Sequence, residues 1–200
     1  MIHDRAEQER KQREAFQSFR SALNEESDRG CVLFAAAYLD HALMELLRSC
    51  LVQTKKIDED LFKQNGPLAS FSSRIKFAYY LGKISPSEKK DFETIRSIRN
   101  DFAHHPEFID FSVQSIKDRC ANLDHHWHDQ GARARGKFTA AVSALLAYVH
   151  AATLHQIPAT ERPEQKISDD MKVFIRTEAR RLANAAAEQP DEASPSKPEI

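Results

Sequence analysis

Apolar residues recur along this chain at helical intervals, with almost none of the alternation a half-buried strand needs. The clearest run is Phe34, Tyr38, Ala42, Leu46 and Cys50, four residues apart, with Leu39, Leu43 and Leu47 beside them. Polar positions form only a narrow arc there: Asp40, His41, Glu45 and Arg48. This pattern predicts a helix over 28–52 set centrally in the core, with Ser27 as its N-cap. Before it, 4–24 reads as helix, although only its second half has a stripe, Phe16, Phe19 and Leu23. Asn65-Gly66-Pro67 marks a turn, and a helix follows from Phe71 to Leu81. Ser85-Pro86-Ser87-Glu88 reads as a helix start: Ser85 is the N-cap, Pro86 takes the first helical position and Glu88 closes a capping box. That helix should end near His104, because Pro106 disfavours helical geometry at His105.

A fifth helix is predicted by Val113, Ile116, Cys120, Leu123 and Trp127, and a sixth by Phe138, Val142, Leu145, Val149 and Ala152. Both stripes suit a bundle core better than a cofactor site. After Gln156 the composition shifts, and five of the eight prolines lie between 158 and 198. The expected organisation is a charged N-terminal helix or arm (1–24) and a helical domain (25–156). A linker and extra helix follow (157–189), then a disordered tail (190–200). The extra helix, over 168–188, places Met171, Ile175, Ala179 and Leu182 on one face. No internal repeat is visible.

Composition sharpens the fold class. The chain has 200 residues with only 5 glycines and 8 prolines, too few turn residues for a sandwich or barrel. Alanine occurs 26 times against 6 valines and 6 threonines, favouring helix over strand. The expected fold is all-α, a compact multi-helix bundle with a C-terminal helical extension. A net charge of −1 gives no global pull towards nucleic acid or an anionic membrane. The longest apolar run, Cys31 to Leu39, is far short of the ~20 residues of a membrane helix, and the N-terminus has no signal-peptide core. Cys31, Cys50 and Cys120 form no CxxC pair. Cys31 and Cys50 share one helix, about 28 Å apart at 1.5 Å per residue, and cannot bridge. They read as buried thiols of a cytoplasmic protein.

Candidate chemistry concentrates at 95–104. Phe92, Ile95, Arg99 and Phe102 have 3-4-3 spacing, which places Arg99 on the apolar stripe, where its charge needs a carboxylate, carbonyl or phosphate. His104 follows at the helix end. Arg99 could hold a phosphate and His104 move a proton, together cleaving RNA without metal. Alternatively Arg99 pairs with Asp28 or Asp40 and His104 caps the helix. His125-His126-Trp127-His128 lacks the further ligands that a metal set requires, so no metal or cofactor is expected. Arg133, Arg135 and Lys137 are too few for a nucleic-acid patch. Helices 71–81 and 86–104 could be read as helix-turn-helix. However, the second would bring Glu88, Asp91 and Glu93 to DNA, and its other face is needed for the core, which favours an αα-hairpin. Its apolar arc, Phe92, Ile95, Ile98 and Phe102, is wide enough to suggest a homodimer contact there, with Asp101 or a bound anion separating two facing Arg99 side chains.

Three segments, SDRGCVLFAAAYLDHALMELL (27–47), NGPLASFSSRIKFAYYLGKIS (65–85) and IRSIRNDFAHH (95–105), resemble the mannitol operon repressor family (MtlR, also written MltR) over roughly residues 20–125. The resemblance implies an all-α cytoplasmic regulator of sugar-alcohol uptake. Family members lack a recognisable DNA-binding motif, so it implies repression through a protein partner, a regulator or transport component, as readily as through direct operator binding. Charged residues in or beside these segments, Asp28, Arg29, Arg74 and Asp101, are binding candidates. Separately, Arg99-Asn100-x-x-x-His104 is similar to the R-N-x-x-x-H motif of HEPN domains, some of which are metal-independent endoribonucleases of toxin or defence systems. That likeness implies an alternative in which Arg99 stabilises phosphate, His104 transfers a proton and Asn100 orients them at a dimer interface, with RNA as substrate.

Overall fold

The computed structural model describes residues 10, 14, 17–104, 108–126, 132–164 and 166–187. The described residues form helices joined by turns and loops, and they contain no strand. The chain divides into two units, Met1–Thr160 and Glu161–Ile200. The first holds α1 (17–25) and α2 (Asp28–Cys50), then one π-helical turn at Asp58–Phe62, then α3 (Phe71–Tyr80), α4 (Pro86–His104), α5 (Gln114–Ala121) and α6 (Ala134–Leu154). The second holds α7 (Asp169–Ala187).

Local chemistry sets the element boundaries. Ser27 Oγ accepts the Gly30 N–H at 3.1 Å and starts α2. Gly66 lets the chain turn back: a Cβ there would lie 2.3 Å from the Leu61 carbonyl oxygen, which accepts the Leu68 N–H. A Ser70–Ser73 capping box, invisible as a Ser/Glu pattern, opens α3. Gly82, at φ +66°, ends α3, with the Lys83 N–H on the Ala78 carbonyl and the Gly82 N–H on that of Tyr79. Ser85 and Glu88 then form the expected reciprocal box at the start of α4.

Helix α2 is the central element, packed against α3, α4 and α6. Its Leu39, Leu43, Leu46 and Leu47 are fully buried, as are Phe92, Ile95, Ile98 and Phe102 of α4 and Phe138, Val142 and Leu145 of α6. Phe111 bridges Phe102 and Phe138, with ring centroids 5.6 and 5.4 Å away. By length and mean hydropathy alone α2 and α6 could each cross a bilayer, which the longest-run criterion overlooks. Here the two pack on each other as core helices.

Three expectations change. Phe34 and Tyr38 are over a third exposed and lie at the core's edge, stacked around Phe19, whose ring is 5.6 and 4.5 Å from theirs. Positions four apart advance about 40° per step, so the run from Phe34 to Cys50 winds round the helix instead of holding one face. Helix α5 stops at Ala121, yet Leu123 is still buried; Trp127 lies outside the described residues. Helix α7 forms where its period predicts, but Met171, Ile175 and Leu182 are exposed. Phe16 and the tail from 188 also lie outside the described residues.

Candidate functional site

Helix α4 carries Arg99, Asn100, Asp101 and His104 and sorts its residues by angle. Asp91, Phe92, Ile95, Ile98 and Phe102 are completely buried. At about 100° per residue, Arg99 falls towards the Phe92 edge of an arc centred near Ile95. Ile98 takes the core position assigned to Arg99 by spacing. The Arg99 stem carries its guanidinium to solvent, where Nη1 donates to Asn100 Oδ1 at 3.1 Å. The expectation of a buried Arg99 is thus corrected. His104, the last residue of α4, is exposed as well. Phe102 packs against Phe111 inside the core, so it cannot form the subunit contact its spacing suggested.

The buried guanidinium belongs to Arg74. Its Nη1 donates to Asp40 Oδ1 at 2.7 Å and its Nε to the Leu68 carbonyl at 2.8 Å. Asp40 is therefore bonded to Arg74, not Arg99. Burial pushes the Asp40 carboxyl above the usual carboxylate range, against the opposing pull of Arg74 and, more weakly, Arg99. Asp28 is occupied too: it accepts from Arg135 Nη1 at 2.6 Å and from the Phe111 N–H at 3.0 Å. Arg135 Nη2 reaches the carbonyls of Leu23 (2.9 Å) and Glu26 (2.6 Å), clamping the α1–α2 corner to the start of α6. Asp101 pairs with Arg119, which also donates to Ser97 Oγ at 3.0 Å. Arg29 is exposed on the first turn of α2. The candidates therefore do not converge on one centre. Arg99, Asn100 and Asp40 line one pocket, with Arg74 bonded to Asp40; Asp28 lines another, and Asp101 is bonded across to α5.

Asp91 is the principal residue that sequence reasoning misplaced. Far from facing outward with Glu88 and Glu93, it accepts the backbone N–H groups of Asp124 and His125, both at 2.9 Å, and contacts His125 Nδ1 at 2.8 Å. Its signal was present: Asp91, Ile95, Ile98 and Phe102 are spaced 4-3-4. His125 is committed to that carboxylate, and His128 lies outside the described residues. Helices α3 and α4 pack together as an αα-hairpin whose second apolar face is in the core.

Two of the cavities on the bundle surface are lined by the candidate residues. One, about 520 Å³, lies between α2, the start of α3 and α4, with Arg96, Arg99 and Asn100 on its α4 wall. Arg96 Nε is buried there and has no hydrogen-bond partner among the described residues. The other, about 670 Å³, lies between α5 and the start of α6, with Lys117, Arg133 and Lys137 around the Asp28–Arg135 pair.

Residues 20–157, the whole of α2 to α6, match the family described as mannitol repressor. The chain belongs to the mannitol repressor family. The fold agrees. A chain of the X-ray structure of the MtlR–HPr complex from Escherichia coli is similar with a TM-score of 0.59 and 20% identity, over 68% of this chain and 98% of that one. The possible transcriptional regulator YggD from Shigella flexneri is similar with a TM-score of 0.55 and 17% identity, over 68% of this chain and 97% of that one. No curated protein matches the chain. The mannitol-repressor match ends before α7, which is an addition to the family domain.

Proposed function

We propose that this mannitol-repressor family member regulates transcription by docking a protein partner, a transport component of the HPr kind, and does not itself read DNA sequence. The observation that carries this reading is the likeness to the chain solved in complex with HPr, nearly the whole of which aligns here. The α3–α4 hairpin supports it, since α4 spends its apolar face on the core and its outer face carries Glu88 and Glu93, which phosphates repel. Neutral net charge points the same way. The protein works in the cytoplasm, where sugar-transport components are met. A homo-oligomer is also proposed. With Phe102 buried, its contact moves from α4 to the exposed stripe of α7.

Titration calorimetry of the purified chain with an HPr-type protein should give saturable binding. Sequence-specific retardation of promoter DNA by the chain alone at physiological salt would refute the partner mechanism. In light scattering, a mass near 22.8 kDa would refute the oligomer.

A further inference from the structure

The buried and half-buried arginines of this bundle pair with carboxylates, except Arg96, and exposed Arg99 lies one turn along from it. Arg48 pairs with Glu45 and Asp58, Arg74 with Asp40, Arg119 with Asp101 and Arg135 with Asp28. Arg96 and Arg99, one turn apart on one wall, make no direct ion pair with a carboxylate among the described residues, Arg99 acting on Asp40 only through its field. Among the described residues, Arg99 donates to the Asn100 amide oxygen and the buried Arg96 Nε has no hydrogen-bond partner. An unsatisfied buried guanidinium nitrogen is costly, and guanidinium pairs favour phosphate because their N–H groups match its oxygens. Both arginines face the 520 Å³ cavity, which is far roomier than a bare anion needs. The Ser70 and Ser72 hydroxyls, at the start of α3, line the same space. Across it lies Asp40, charge-balanced by Arg74 and able to accept from a hydroxyl.

We propose that this pocket binds the phosphate monoester of a small polyhydroxylated molecule, Arg96 and Arg99 holding the phosphate and Asp40 accepting from a hydroxyl of the body. The choice of a polyol body rests on the family reading above; the anion site does not. Calorimetry on the full chain, without partner or DNA, compares a hexitol 1-phosphate, inorganic phosphate and the unphosphorylated hexitol. The ester should bind saturably and more tightly than inorganic phosphate, and the free hexitol should not bind. Arg96→Gln and Arg99→Gln should each weaken the ester by about tenfold or more, as expected for losing a charged hydrogen bond. Lys76→Gln, on the exposed side of α3, should leave binding unchanged. Arg99 is solvent-facing, so its variant decides the matter even if Arg96→Gln lowers the melting temperature. No saturable binding of either phosphate, or binding that survives both arginine variants, would overturn the site. Equal binding of the free hexitol would overturn the anion anchor, and inorganic phosphate binding as tightly as the ester would overturn the polyol body. Because no partner is present, failure here is distinguishable from failure of partner docking.

Discussion

Arg74→Met should be among the most damaging single substitutions outside the apolar core. The Arg74 side chain is 9% exposed and that of Asp40 29%. Removing the guanidinium leaves the Asp40 carboxylate without its ion pair and the Leu68 carbonyl without the Nε donor. Breaking a fully buried pair costs about 3–5 kcal/mol; water reaching Asp40 reduces this to roughly 2–4 kcal/mol. In a domain of this size that lowers the melting temperature by roughly 5–15 °C. The loss should depend on pH. The Asp40 carboxyl already has a raised pKa through burial, and Arg74 is the main group opposing the rise. A raised carboxyl pKa gives a stability contribution that is full below the ordinary carboxylate range and lost as pH rises through the folded value. Without Arg74 that value climbs further, so the deficit should be largest near neutrality and shrink as Asp40 takes up a proton in acid. Adding Asp40→Leu to the variant should restore much of the stability at neutral pH, because no buried charge remains. Urea melts of all three proteins across pH test this. A loss below about 1 kcal/mol, or one that is flat with pH, would refute the pair's role.

Phe102→Glu should abolish the cooperative thermal transition and most helical circular dichroism, since it buries a carboxylate against Phe111; a folded variant with altered oligomeric state would contradict the packing described. Thiol titration of the native protein near pH 8 should find Cys50 reacting first, because burial pushes Cys31 up to about 11 and Cys120 up to about 12; rapid modification of three thiols would show a looser core. Incubated with RNA in EDTA, the protein should leave the substrate intact. Cleavage by wild type but not by Arg99→Ala or His104→Ala would instead establish the ribonuclease alternative.

What could be read from the chain was what local chemistry dictates. The Ser27 cap, the Ser85–Glu88 box and the 138–152 period each depend on residues within a few turns of one another, and each is found in the structure. Arg99 was misplaced because a 3-4-3 spacing through Arg99 and a 3-3-4 spacing through Ile98 are both helical, and only the neighbours of α4 choose between them. Asp91 was missed because a carboxylate is assigned to solvent unless its partners are known. Those partners, the N–H groups at 124 and 125, belong to a different part of the chain. Arg74 with Asp40 and Arg135 with Asp28 are joined across 34 and 107 residues, a pairing that no single-sequence pattern encodes.

The Arg135 clamp has a consequence for how the protein is made. The α1–α2 corner leaves the ribosome early, yet the side chain that fastens it is synthesised 107 residues later. At roughly 5–20 residues per second, the corner waits on the order of 5–20 s before α6 can close over it. During that interval the apolar side of α2 lacks the helix it packs against most extensively. Nascent chains stalled before residue 134 should therefore be the ones that holdase chaperones retain and proteases cut. Release of the α6 segment would be the moment when the domain becomes resistant to both.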